Sequence, residues 1–224
     1  MTHEELIIEA ELISKPCYLL STVPNDDGIV GYWGGSRSDM PEALDPVIVI
    51  ASRRKHIFTL SDSLLARIGV RAGPVSLFEW SGKGNRVFRV EADYRLSFGD
   101  LSFNGQPLYA SESTSFPPLP ALCVYGSRRV EDWLADMGPA RHEYWKLPRD
   151  IECAYDRAWA ERSHFHRSEA DIVVGGWHFL WPEDDYYVPQ ELRLVALSLR
   201  DAEPWHELWF SPISQGWRSY QRIT

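Results

Sequence analysis

HIFTLSDSLLARIGVRAGPVSLFEW, residues 56–80, is the stretch on which the fold class turns. HIFTLSD (56–62) is rich in β-branched and aromatic side chains and reads as a strand. The period then changes. Ser61 or Ser63 stands where a helix N-cap belongs, SLLARIG supplies one or two helical turns, and Gly69 stops them. VSLFEW (75–80) returns to strand.

Working outward, the strand signals continue on both sides. PVIVIAS (46–52) is a β-branched run that pairs with HIFTLSD as a hairpin, leaving the basic RRK turn in solvent. GKGNR (82–86) reads as a hairpin turn, and RVFRVEADYRL (86–96) alternates in polarity over Val87–Val90. LSFNGQPLYAS (101–111) carries Asn104-Gly105, a strong tight-turn signal. The middle of the chain is therefore expected to be an antiparallel meander.

The flanks add helices and more strands. Thr2 and Glu5 have capping-box spacing, and Leu6, Ile7, Ala10 and Ile13 follow as a helical stripe, so residues 3–14 are expected to be a helix ended by Pro16. CYLLSTV (17–23) and IVGYWGG (29–35) read as strands around the turn cluster PNDDG. STSFPPLP (113–120) reads as a connection, and ALCVYG (121–126) as a short strand. A helix starts at Ser127 and stops at Gly138-Pro139; a second, capped by Asp150, has its stripe at Ile151, Ala154, Tyr155, Ala158 and Trp159. ADIVVGGW (170–177), ELRLVALSL (191–199), HELWFSP (206–212) and the tail are strand-like.

A loose internal repeat runs through this. IVGYWGG…HIFTLS returns as IVVGGWHFL…HELWFS, aligning His56 and Ser61 with His206 and Ser211. The expected fold is α+β, a mainly antiparallel β-sheet with three to four helices and two related β-rich halves. The halves would span 1–112, with the N-terminal helix, and 121–224, joined by the Pro-rich 113–120; the alternative is one compact domain.

Composition bounds the function. The 224 residues are 44% hydrophobic and 25% charged, enough for a core that needs no staples. The net charge of −9 argues against nucleic acid, which is held by displacing counterions with Lys and Arg, and against anionic lipid. It fits solubility or attraction to a basic partner. Cys17, Cys123 and Cys153 are few, odd in number and far apart, which fits buried or inert thiols in a reducing compartment. MTHEELIIEAELISK is acidic where a signal peptide is basic, and no apolar run could span a bilayer, so a cytoplasmic protein is expected.

Four constellations could carry chemistry. His164 and His166 form an HxH pair, with Glu169, Asp171 or His178 as third ligand; in so polar a connection they are weak metal candidates, and no metal or cofactor is expected. No nucleophile elbow is present, Cys123 and Cys153 read as structural, and only Cys17, near Lys15, could be a low-pKa thiolate. Acidic groups recur in turns and on a helix face, as at Glu131/Asp132/Asp136 and Asp201/Glu203/Glu207, and there read as solvated surface. Finally, aromatics crowd GGWHFLWPEDDYYVP (175–189). Its first part reads as a strand end, with Trp177 and Phe179, or His178 and Leu180, facing the core. Trp181, Glu183, Asp184, Asp185, Tyr186 and Tyr187 then form an acid–aromatic loop suited to gripping a basic protein.

The expected function is an acidic cytosolic protein-binding module, most concretely an inhibitor or immunity-type protein neutralising a basic partner such as a toxin enzyme. In general character it resembles bacterial immunity proteins that block a co-encoded toxin, an analogy of kind carried by no motif. A carboxylate- or metal-dependent hydrolase and a structural subunit of an oligomer are the alternatives. No catalytic residue is assigned.

Overall fold

The computed structural model describes residues 1–36, 53–82, 85–92, 95, 97–141, 143–162, 172–177, 193–198 and 205–222. Ten strands form one antiparallel sheet: β1 (Lys15–Ser21), β2 (Ile29–Trp33), β3 (Arg53–Leu60), β4 (Val75–Gly82), β5 (Asn85–Ala92), β6 (Gln106–Ser115), β7 (Ile172–Gly175), β8 (Arg193–Ser198), β9 (Trp205–Ser211) and β10 (Gly216–Arg222). Their order is β10-β9-β8-β7-β1-β6-β2-β3-β4-β5. The α-helices are α1 (His3–Leu12), α2 (Asp62–Arg67), α3 (Leu119–Tyr125), α4 (Arg128–Met137) and α5 (Arg149–Arg162). The expected class, α+β with a mainly antiparallel sheet, is the one observed.

The centre of the sheet is the pair β1–β6, in register from Lys15↔Ser115 to Ser21↔Tyr109. β2–β5 extend it on the β6 side and β7–β10 on the β1 side, each as a run of sequential neighbours. In this order His56 lies on the second strand out from the central pair and His206 on the third. Gly82↔Asn85 closes the β4–β5 hairpin at the expected GKGNR turn. The sheet curls until its end strands β5 and β10 approach one another. Alternate side chains fill the inside: Leu20, Phe58, Leu77, Leu108, Val174 and Leu208 are all buried in one apolar cluster. Each such side chain contributes about 1.5–3 kcal/mol by leaving water. α2, capped by Ser61 Oγ, which accepts from Leu64 N–H at 3.2 Å, adds Leu64 and Leu65 to that cluster.

The other helices build a second cluster of their own: Leu6 and Ala10 of α1, Leu122 of α3, Leu134 of α4 and Tyr155 and Trp159 of α5. The sequence signals for these helices were accurate. Thr2 and Glu5 form the capping box, and Gly138 ends α4 in the left-handed region at φ 90°. α5 begins one residue before the expected Asp150 cap.

Three local expectations are corrected. Residues 121–126, read as a strand, belong to α3: Pro118 and Pro120 lie at its start, where fixed φ favours a first helical turn. Its five buried residues, Leu119 to Cys123, are apolar because the helix is enclosed, and an enclosed helix has no period to distinguish it from a buried strand. Asn104-Gly105 does not turn a hairpin. The Asn104 side chain instead accepts from Ser36 N–H at 2.5 Å, while β6 pairs with β1 and β2. Residues 113–120 run from the last residues of β6 into α3. PVIVIAS lies outside the described residues, and HIFTLS, as part of β3, pairs with β2 and β4.

Candidate functional site

The acid–aromatic loop singled out from the sequence, Trp181, Glu183, Asp184, Asp185, Tyr186 and Tyr187, lies outside the described residues, as do His164, His166, His178, Glu169 and Asp171. Among the described residues no three His, Cys, Asp or Glu side chains come together as metal ligands. Trp177, just before the loop, is described and buried, one of the two alternatives that strand alternation left open. Its indole N–H donates to Ile13 C=O at 3.0 Å, its backbone N–H donates to Ser115 Oγ at 2.9 Å, and the Lys15 ammonium sits 3.3 Å above its ring. Gly176 (φ +80°) makes this approach possible, since a Cβ there would lie 2.6 Å from Ser115 Cβ. The chain thus enters the acid–aromatic segment from a fixed point tied to β6 and the end of α1.

The charge of the described structure is concentrated in the helices. α1, α4 and α5 carry eleven acidic residues against five basic ones, a net charge of −6. Ion pairs knit the three together. Arg129 reaches from α4 to Glu5 of α1 and, at 3.8 Å, to the buried Glu9; Arg162 of α5 reaches Glu11 of α1 at 2.9 Å. Ser127, N-cap of α4, donates its hydroxyl to Glu9 at 2.5 Å. The Thr2 backbone N–H, and after it Arg129, hold the Glu5 carboxyl below its ordinary value. On α5 the sign reverses: partial desolvation, then the like charge of Glu152 one turn away, push the Asp156 carboxyl up.

Two large rings of the helical part are exposed. Trp145, on a short 3₁₀ turn after α4, is 52% exposed and Tyr125 at the end of α3 is 47% exposed. Between α1 and α4 lies an open cleft of about 570 Å³, where Met1 and Trp133 meet three carboxylates, Glu5, Asp132 and Asp136, and two guanidinium groups, Arg128 and Arg129. Carboxylates flanking half-buried aromatic surface are the chemistry that receives Lys and Arg side chains. The groups Glu131, Asp132 and Asp136, read from sequence as solvated surface, are exposed on α4.

Two further polar clusters are structural. His56 Nδ1 donates to Gly34 C=O at 2.7 Å and Nε2 lies 2.7 Å from Thr59 Oγ; Thr59 Oγ in turn lies 2.6 Å from Ser76 Oγ. All three residues are buried on the outer face of β3–β4, under the rings of Phe78 and Phe103, the latter stacked on Tyr32. Sequence reasoning missed this chain; only the polar members of an otherwise apolar strand pair hinted at it. The second is on β9, where the Trp209 indole donates to the buried Glu207 at 3.0 Å. Glu207, grouped with surface acids from the sequence, is instead enclosed, because strand alternation turns it to the same side as Trp209.

The cysteines are not activated. Burial pushes the Cys123 thiol up to about 12 and the Cys17 thiol up to about 11, the latter despite a lowering hydrogen bond with Ser113, so Cys17 is not a low-pKa thiolate. Cys153 is exposed rather than buried, since it shares the outer face of α5 with Asp156 and Arg157. No described helix is long and apolar enough to cross a membrane. No protein-family model matches the chain, and no curated protein or solved structure matches it.

Proposed function

We propose that the chain is an acidic, cytoplasmic protein-binding module, an inhibitor or immunity-type protein that neutralises a basic partner such as a toxin enzyme. The observation that carries this reading is the segregation of charge. The sheet supplies a rigid apolar body, while three helices carry eleven acidic residues against five basic ones, and Trp145 and Tyr125 are exposed on the helical side of the chain. Steering by net charge and anchoring by rings are the two requirements for capturing a basic protein. The raised Asp156 carboxyl supports the reading, because incoming Lys or Arg relieves like-charge crowding. In this reading Trp181, Glu183, Asp184, Asp185, Tyr186 and Tyr187 are a second contact.

The test is a pull-down from the native host with the neighbouring gene co-expressed. One basic partner should be recovered, with affinity falling steeply as salt rises. Recovery of none, or of a partner indifferent to salt, overturns the reading.

A further inference from the structure

Helix α1 is apolar on two sides. Its inner side, Leu6 and Ala10, is fully buried in the helical cluster. Its outer side carries Ile8, 56% exposed, and Leu12, 73% exposed. The two are four residues apart and so stack along one ridge of the helix. A surface helix ordinarily has a single apolar stripe; a helix with two is shaped to lie between two surfaces.

The rim of this ridge is negative. Glu4 precedes Ile8 by one turn, Glu11 follows it by one, and α1 contains no Lys or Arg. Arg129 of α4 pairs with Glu5 and Arg162 of α5 with Glu11. A second copy would bring the same acidic rim against itself, in chains that each carry −9. The complementary surface is an apolar socket bordered by Lys and Arg.

We infer that the Ile8–Leu12 ridge of α1 is the face on which a basic protein docks, its apolar socket taking the two side chains and its cations meeting Glu4 and sharing Glu11 with Arg162. This rests on the proposed function and names the surface that would perform it. Ile8 and Leu12 are the anchors; the carboxylates set orientation and on-rate.

The test uses a fluorescently labelled amphipathic helical peptide of Leu and Lys as a surrogate for such a surface, titrated into the full chain by anisotropy at low and at physiological salt. I8S/L12S should weaken binding by about tenfold or more, with helix content unchanged by circular dichroism, since both positions are exposed. Glu4→Lys should weaken it less and flatten the salt dependence. Equal affinity for wild type and I8S/L12S overturns the inference. So does a wild-type dimer that I8S/L12S dissolves, which would make a second copy the occupant. Loss of peptide binding only in Asp184→Lys places the contact on the acid–aromatic segment, sinking the ridge while leaving the basic-partner reading intact. No peptide binding by wild type also sinks the ridge, and if the pull-down still yields a basic partner, the ridge alone fails.

Discussion

The curled sheet and the helical cluster solve the problem of a core in opposite ways. The sheet collects aliphatic side chains from strands far apart in sequence and encloses polar groups in two places, the His56–Thr59–Ser76 chain and the Trp209–Glu207 pair. The helical cluster encloses two Tyr and a Cys and is fastened at its margins by ion pairs. The first arrangement resists change in charge and solvent; the second is adjustable at its surface. In the proposed function, recognition by charge belongs to the helices, and the sheet is their mount.

The hardest blow to that contrast is a cavity. Phe58→Ala, at a fully buried site in the sheet, should cost about 3–5 kcal/mol, against about 2–5 for Leu122→Ala in the helical cluster. Urea melts followed by intrinsic Trp fluorescence and by far-ultraviolet circular dichroism measure both. Coincident transitions would show that the two cores unfold as one unit, and separated transitions that the contrast extends to stability.

Alkali should strike the helical cluster harder. Burial lifts the Cys123 thiol from 9.0 to about 12. An unfolded thiol therefore ionises first, the folded state holds the extra proton, and stability falls as pH rises from about 9 towards 12, by up to roughly 4 kcal/mol. Tyr155, also buried and raised well above its ordinary value, adds to the fall in the same direction. Cys17 in the sheet, at about 11, contributes less. Cys123→Ala should flatten the decline of the urea midpoint with pH more than Cys17→Ala does; the reverse order would contradict the assignment.

A smaller effect tests the sheet's polar chain. Thr59→Val keeps the shape but takes the shared hydroxyl from His56 and Ser76, at a cost of about 1–3 kcal/mol in denaturant midpoint. Smallest of all, Arg162→Ala removes an exposed ion pair to Glu11 and should change stability by less than about 1 kcal/mol. A larger loss would mean that the helical margins carry structural weight beyond their charge.

Much of the local structure was legible because its signals are local. The Thr2/Glu5 box, the Ser61 cap, the Gly138 stop and the Tyr155/Trp159 stripe each sit within a turn or two of what they determine. What escaped is non-local. Asn104-Gly105 is a turn pair by composition, yet Asn104 is used by Ser36, sixty-eight residues away. The burial of Glu207 and the His56 chain depend on which strands stack beside them, and the repeat in the sequence does not encode that. The acid–aromatic segment was chosen from composition alone, whereas the acidic character of α1, α4 and α5 emerges only when their faces are assembled around a shared core.

The central pair of the sheet has a consequence for how the protein is made. β1 leaves the ribosome first, but Lys15 pairs with Ser115 and Cys17 with Gly175. The earliest strand must wait for partners about 100 and 160 residues later, so closing those loops has a large entropic cost before any ladder forms. Synthesis at ~5–20 residues per second leaves an apolar strand unpaired for several seconds to half a minute. The molecule is thus expected to fold slowly and to depend on chaperones during translation, however stable the finished sheet proves to be.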